Sequence, residues 1–500
     1  MESLNLIKPE LLTLTSEQMT ALMPYFWMMA GACLAIIGSV LQSMQPKWVV
    51  FVLSIASAFL AMVSTWNTLG HPPILLFNGM MVVDSYTRFG NLLFIASGVL
   101  TSLGAFRYLD REKIHLPEFH ILVLFAVMGM MLMISSLDLI VLFIAFEIMS
   151  LCVYLLVGFR RSDRKGNEAS VKYFILGGAA SAVMLYGAAL LYGATGSLNL
   201  SEILQYAVVG NDLSIIFVMG AWLMVVGFLF KVATVPFHMW MPDVYEGAPT
   251  PVTGFMTTGL KAAAFATFIR VILSLGYGRG MIESLQAQMH DLIWVIAVVT
   301  MLLGNIIALT QKNLKRMLAY SSIAHTGYLM VGLAAGGMGA PDYSSVLVYL
   351  VSYAIMNMGA FLTLTLMSGP NDEGLMLNDL SGMSQRRPWI SFAMAVFVFS
   401  LAGVPPTAGF IGKYLLFYQA VQSGETLLVV IAVLCSAISV YYYLRVLVYM
   451  YMKDPQEAVG DQRVSLWSKV AIAFMVVLTL EIGLIPSGWI EAAKAAISHL

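Results

Sequence analysis

The chain has 500 residues, of which 60% are hydrophobic and 11% charged, with a mean hydropathy of +0.85. A soluble fold of this composition lacks the polar residues to cover its surface, so the sequence reads as an all-α polytopic membrane protein. The net charge of -1, from 26 Lys and Arg against 27 Asp and Glu, excludes a global pull toward nucleic acid or an acidic partner.

About 20 apolar residues span a bilayer. On that scale the sequence predicts about fourteen membrane helices, near 20–42, 49–69, 82–106, 119–135, 137–158, 170–194, 213–240, 252–275, 289–309, 317–337, 343–368, 390–417, 426–450 and 468–490. The first apolar stretch has no basic leader, which argues against a cleaved signal. Placing the N-terminus outside puts sixteen of the basic residues in inner loops, among them Lys47, Arg111, Arg160, Arg164, Lys315, Arg316, Arg387 and Arg463. Only Lys8, Arg279 and Lys494 fall on the other side, so the positive-inside bias predicts both termini on the outer face.

YLLVGF at 154–159 recurs as YLMVGL at 328–333, and GAALL at 187–191 as GAFLT at 359–363. Pro236 in KVATVP answers to Pro405 in SLAGVP. The fourth to eighth spans, 119–275, and the ninth to thirteenth, 289–450, therefore read as two five-helix repeats, flanked by segments 1–118 and 451–500. An odd number of crossings per copy inverts the second in the membrane. Pro236 breaks the seventh span, and Pro405 and Pro406 with Gly403 break the twelfth. Carbonyls freed at such breaks need water or neighbouring donors, which predicts a polar pocket near each.

A charge at the bilayer centre costs about 3 kcal/mol on insertion scales. Glu147, Lys231, Lys261 and Lys413 all incur that cost. One carboxylate does not neutralise three ammonium groups, so at least one lysine must shed its proton or be solvated internally, and neighbouring sites then titrate as a coupled set suited to proton relay. A buried ion pair that only fixes packing is the alternative. Two readings stand for His238 and His325: relay members, or packing residues. Lys172, near an inner end, is a secondary relay candidate or a snorkelling residue, and Arg88, Arg270, Arg445 and Glu481 read as structural.

The sequence has no GxGxxG after a strand pattern, no GxxxxGK[ST], and three isolated cysteines, Cys33, Cys152 and Cys435. No nucleotide, flavin, metal or iron–sulfur site is visible, so the driving energy comes from an ion gradient or from partner subunits.

KVATVPFHMWMPDVYEGAPTPVT, residues 231–253, followed by Lys261, resembles the signature of the antiporter-like membrane subunits of respiratory complex I, and the resemblance covers nearly all fourteen spans. Lys413 in GFIGKYLLF separates the chain from M-like members, which carry an acidic residue there, and L-like members continue into a long lateral helix. The resemblance implies two inverted half-channels. It makes Glu147 and Lys231 the charge pair of the first, Lys261 the link between halves, Lys413 the terminal proton site, and His238 and His325 relay residues. Ser321 stands opposite Glu147, so the pair is not duplicated. Flavin, iron–sulfur clusters and quinone are expected on partner subunits. The implied partners are M-like, K-like and J-like membrane subunits, the peripheral redox arm indirectly, and the lipid of a bacterial inner membrane. A cation/proton antiporter subunit and a scaffolding subunit are the competing functions.

Overall fold

A computed structural model describes residues 14–40, 46–209, 213–337, 342–455, 466–498 and 500, so Lys8 and Arg463 lie outside the described residues. The chain opens with α1 Ser16–Val40 and α2 Pro46–Asn67, then a short antiparallel hairpin, β1 Ile74–Leu76 and β2 Met81–Val83, with Leu75 facing Val82. It continues through α3 Ser85–Arg111, α4 Glu118–Ser135, α5 Leu139–Val157, α6 Arg164–Thr195 and α7 Leu200–Val209. The seventh predicted span, 213–240, holds α8 Ile215–Lys231 and a non-helical break, and ends on the first residue of α9 Trp240–Gly247. The eighth consists of α10 Thr250–Phe255, a π-helical turn at Met256–Leu260, and α11 Lys261–Ser274.

The second half runs through α12 Glu283–Thr310, α13 Leu314–Gly336 and α14 Ser344–Met367, then the short α15 Met383–Arg386. The twelfth predicted span is again two pieces, α16 Pro388–Ala402 and α17 Ala408–Gln422. The chain ends in α18 Thr426–Met452, α19 Leu466–Leu484 and α20 Ser487–Ile497.

All fourteen predicted spans fall on helices, but among the described residues eleven helices are long and apolar enough to cross a membrane. The seventh and twelfth stop short because their backbones break. In the tenth, α13, the polar run Ser321, Ser322, His325 and Thr326 dilutes the apolar stretch. Local sequence sets the ends: Asp84, Asp138, Asp163, Ser214 and Asn313 accept backbone N–H bonds at the starts of α3, α5, α6, α8 and α13. Gly196 and Gly403 close α6 and α16 in the left-handed region.

Two elements occupy the centre. The membrane windows of Thr250–Ser274 and of α14 are buried along their whole length, whereas α1, α6 and α18 keep a lipid-facing side. Helices close in sequence pack side by side, α4 on α5, α6 on α8 and α12 on α13. Contacts of α10 with α14 and of α9 with α13 join the two halves.

The basic loops gather at one end of the bundle and are tied together there. Lys47 pairs with Asp110 at 2.9 Å, Arg111 and Arg160 share Glu112 at 2.8 and 3.3 Å, and Lys315 meets Asp372 at 3.3 Å. Burial alone would push the Asp372 carboxyl up, but the Lys315 and Arg160 charges hold it below the usual carboxylate range. The residues expected to be structural have local partners. Arg270 pairs with Asp84 at 2.9 Å, Arg88 donates to Pro72 O at 3.0 Å, Arg445 to Leu309 O at 2.9 Å, and Glu481 accepts from Trp489 at 2.9 Å.

A buried row of lysines and hydroxyls as the candidate site

Two helix breaks and one π-helical turn position the three lysines. In a regular helix the N–H of residue i serves the carbonyl of residue i−4, and proline has no N–H. Pro405 and Pro406 therefore leave the carbonyls of Leu401 and Ala402 without helical donors. Lys413 supplies both: reaching back from α17, its Nζ lies 3.1 Å from each, with its third donor on Ser436 Oγ at 2.9 Å. The side chain is 5% exposed, with the Tyr328 ring beside it at 5.2 Å. A cavity of about 550 Å³ between α17 and α18 reaches Lys413 and the second break, and its walls are mainly apolar and aromatic, including Phe410, Tyr414 and Phe417.

At the first break three freed backbone groups are taken by side chains. Trp240 Nε1 donates to Phe230 O at 3.2 Å, the Val235 N–H reaches Thr300 Oγ1 at 3.0 Å, and Thr326 donates to Val232 O at 3.0 Å. Lys231 is the last residue of α8, where the negative end of the helix dipole favours a cation. It is 6% exposed, donates to Ser150 Oγ at 2.7 Å, and sits 4.5 Å from the Phe146 ring centroid.

Glu147 lies on α5 one turn before Ser150 and is half-buried. It is near enough to act on Lys231 electrostatically, yet no ion pair joins them among the described residues, and Glu147 Oε1 has no hydrogen-bond partner there. The implied charge pair is thus not a direct contact; Ser150 holds the lysine instead.

The π-helical turn delivers Lys261 to α13, where its three donors meet Ser322 O at 2.7 Å, Ser322 Oγ at 2.5 Å and Thr326 Oγ1 at 3.0 Å. Ser322 also accepts from Tyr353, which in turn accepts from Asn357 at 2.7 Å. His325, 1% exposed, is bonded through Nδ1 to Tyr349 at 2.6 Å and through Nε2 to Tyr443 at 3.1 Å. Tyr443 is also hydrogen-bonded to Ser321, so the position opposite Glu147 holds a hydroxyl tied to the same histidine.

Two candidates stand apart from this row. His238 is half-buried on the first break beside exposed Met239, and its Nδ1 has no partner among the described residues. Lys172 is 44% exposed and paired with Glu168 at 2.7 Å and Asp243 at 3.0 Å, in a network that Arg316 extends to Asp243 and Glu246. Sequence reasoning missed Ser150, Ser322, Thr326, Tyr349, Tyr353, Tyr443 and Ser436. The polar run SSIAHTGY and the YYY at 441–443 were the available signals.

Split helices, buried cations and a polar row through an enclosed centre define a multi-pass membrane protein of the antiporter-like class. The family model described as NADH:quinone oxidoreductase/Mrp antiporter, membrane segment, matches residues 136–439, and the chain belongs to this family. NADH-quinone oxidoreductase subunit N of Trichlorobacter lovleyi is 43% identical over 446 residues, 89% of each chain. Among solved structures, a chain of respiratory complex I from Thermus thermophilus with bound aureothin superposes with a TM-score of 0.80 at 34% identity, covering 95% of this chain and 99% of that one. A chain of the Mrp complex from a Dietzia species has a TM-score of 0.83 at 20% identity, with 97% of each chain covered, and shares the fold.

Proposed function

We propose that this chain is the proton-translocating N-type membrane subunit of an NADH:quinone oxidoreductase, moving protons along its buried lysines while redox chemistry proceeds on other subunits. The observation that carries the reading is the row itself: Lys231, Lys261 and Lys413 are each enclosed and held by hydroxyls, carbonyls and aromatic faces, with no carboxylate in contact among the described residues. Such lysines are not neutralised by fixed partners, so their protons are free to be exchanged. Identity to subunit N relatives favours this over a cation/proton antiporter subunit, whose solved likeness is one of fold.

In this reading fourteen crossings place both termini on the outer face of a bacterial inner membrane. Residues 119–275 and 289–450 are inverted half-channels, flanked by 1–118 and 451–500. One structural rhyme supports the inversion. Asp138 caps α5 and Asn313 caps α13, and the next residue of each donates a backbone bond to the loop after the following long helix, Leu139 to Leu198 O at 3.0 Å and Leu314 to Leu375 O at 2.9 Å. Asn313 lies at the end carrying the basic loops and Asp138 at the other. Glu147 modulates Lys231 through Ser150, Lys261 links the halves, His325 and its tyrosines relay, and Lys413 is the terminal site. His238 and Lys172 serve at the periphery. The partners are M-like, K-like and J-like membrane subunits, and flavin, iron–sulfur clusters and quinone belong to other subunits.

The test is NADH-driven proton uptake by vesicles containing the assembled complex. Lys231→Ala and Glu147→Ala are each expected to lower the proton-to-electron ratio, with flavin and iron–sulfur subunits still co-purifying. A wild-type ratio in either variant rules out its residue as a working member of the row.

A further inference from the structure

In a continuing helix the N–H of residue 236 would serve the Val232 carbonyl, and Pro236 has none to give. The replacement donor comes from the other half of the molecule: the Thr326 hydroxyl of α13, 3.0 Å away. The oxygen of that same hydroxyl accepts from Lys261 Nζ at 3.0 Å. Val232, Thr326 and Lys261 are all buried. A single side-chain oxygen therefore touches both the broken segment that follows Lys231 and the central lysine.

Proton inventory decides what this contact does. An ammonium has three donors and no acceptor. Lys261 directs its three to Ser322 O, Ser322 Oγ and Thr326 Oγ1. Thr326 has one proton and two carbonyls in reach, Val232 O at 3.0 Å and Ser322 O at 3.1 Å. Ser322 O already accepts from Lys261, whereas Val232 O has lost its helical donor, so the proton belongs on Val232. A neutral lysine amine keeps two donors and gains a lone pair, which is an acceptor. The Thr326 hydroxyl can then turn and donate to Nζ, and the Val232 carbonyl is left without a donor in a buried setting, an arrangement that drives the local backbone to move.

We propose that Thr326 is a positioning residue that couples the charge on Lys261 to the first helix break by turning its hydroxyl between Val232 O and Lys261 Nζ. This rests on the proton-carrying role proposed above for Lys231 and Lys261. With Lys261 charged, the Val232 carbonyl is tied to α13; with Lys261 neutral, that tie is released and the backbone at Val232 can shift, while the Val235 N–H stays on Thr300. The coupling is reciprocal, so a shift that draws Val232 away favours the neutral lysine. No bond of Thr326 breaks. One O–H changes acceptor while the lysine proton leaves along the row.

Two substitutions separate this from packing. Thr326→Val keeps the branched volume and removes the hydroxyl; Thr326→Ser keeps the hydroxyl and removes the methyl. Proton uptake and quinone reduction are measured in vesicles containing the assembled complex, with subunit content as control and Lys231→Ala and Lys261→Ala in parallel. Val is expected to slow the proton flux through this chain about tenfold, the equivalent of losing one hydrogen bond to a charged group, and Ser to restore it. The reverse order, with Val near wild type and Ser impaired, overturns the proposal in favour of packing. If Val does not assemble, Thr326→Ala removes the hydroxyl at smaller volume, and a wild-type ratio there also overturns it. Loss of pumping in the two lysine variants with normal pumping in Thr326→Val sinks the coupling alone; normal pumping in the lysine variants removes the translocation reading itself.

Discussion

Lys413 does in the second break what a backbone N–H does elsewhere, and it does so with a group that titrates. Its ammonium satisfies two carbonyls and one hydroxyl, so losing its proton removes the charge assistance from all three contacts. Lys413→Met fills similar volume without donors and is expected to slow proton transfer through this chain by roughly a hundredfold or more, the usual worth of a positioned acid–base group. Lys413→Arg retains a charge but does not release its proton at working pH. It should therefore impair pumping as well, whereas a merely structural lysine would tolerate arginine. Proton uptake per NADH oxidised checks both, and a fully active arginine variant would falsify the protonation cycle. The lysines stood out in the sequence because each interrupts an apolar run at a cost the membrane makes plain. Their partners did not, since Ser, Thr and Tyr are ordinary in membrane helices and only the fold decides which of them face a charge. Ser150 is the sharpest case: the family resemblance implied Glu147 as the partner of Lys231, and a hydroxyl one turn away makes the contact.

At the scale of elements, the two breaks are built alike. Each follows a half-helix whose last carbonyls point at a cation or a hydroxyl, Lys413 in one and Thr326 in the other. In the second break the restart of the helix also depends on a close approach. The Gly409 N–H donates to Ser400 Oγ at 3.0 Å, and a Cβ at position 409 would lie 1.8 Å from Ser400 O. Gly409→Ala is thus expected to push α17 away from α16 and cost about 3 kcal/mol, near the top of the range for overpacking. Thermal unfolding of the purified complex and the amount of this subunit assembled in it report the loss; an unchanged melting temperature would contradict the close packing. Prolines announced both breaks in the sequence. The π-helical turn before Lys261 had no such marker, because no residue type in Met256–Leu260 requires it, nor did the hydroxyl partners of the Val232 carbonyl and the Val235 N–H, which come from helices distant in sequence.

Across the whole molecule, the loops at the basic end are laced by ion pairs, with Asp372 among their enclosed members. Asp372 accepts from Tyr108 at 3.0 Å and pairs with Lys315 at 3.3 Å, joining the end of α3 to the start of α13. Its carboxyl is held below the ordinary range, so its stabilising contribution is present above the unfolded-state value and is lost as pH falls through the lower folded-state value. Asp372→Asn removes one partner of a buried pair and is expected to cost on the order of 3 kcal/mol at neutral pH. The difference from wild type should shrink as pH falls through that acidic window. Melting curves of the two proteins from pH 7 downward test this, and a gap that stays constant into the acid range would contradict it. This lacing was readable in outline, since the basic residues cluster in alternate loops. Which acid would anchor it was not, because Asp372 sits in a loop whose burial depends on three other segments.

The second break divides its span into two helices of 15 residues each with the Lys413 ammonium at their junction, so in the proposed crossing of the bilayer that ammonium stands about midway. A proton arriving there from either face has crossed about half of the membrane potential. At 100 mV a full crossing is worth about 2.3 kcal/mol, so half is about 1.1 kcal/mol, or nearly a factor of seven in occupancy. Under the proposed function, the voltage that the pump builds therefore acts on the fraction of time Lys413 is charged, and the residue proposed to carry the proton also senses how hard the membrane is pushing back.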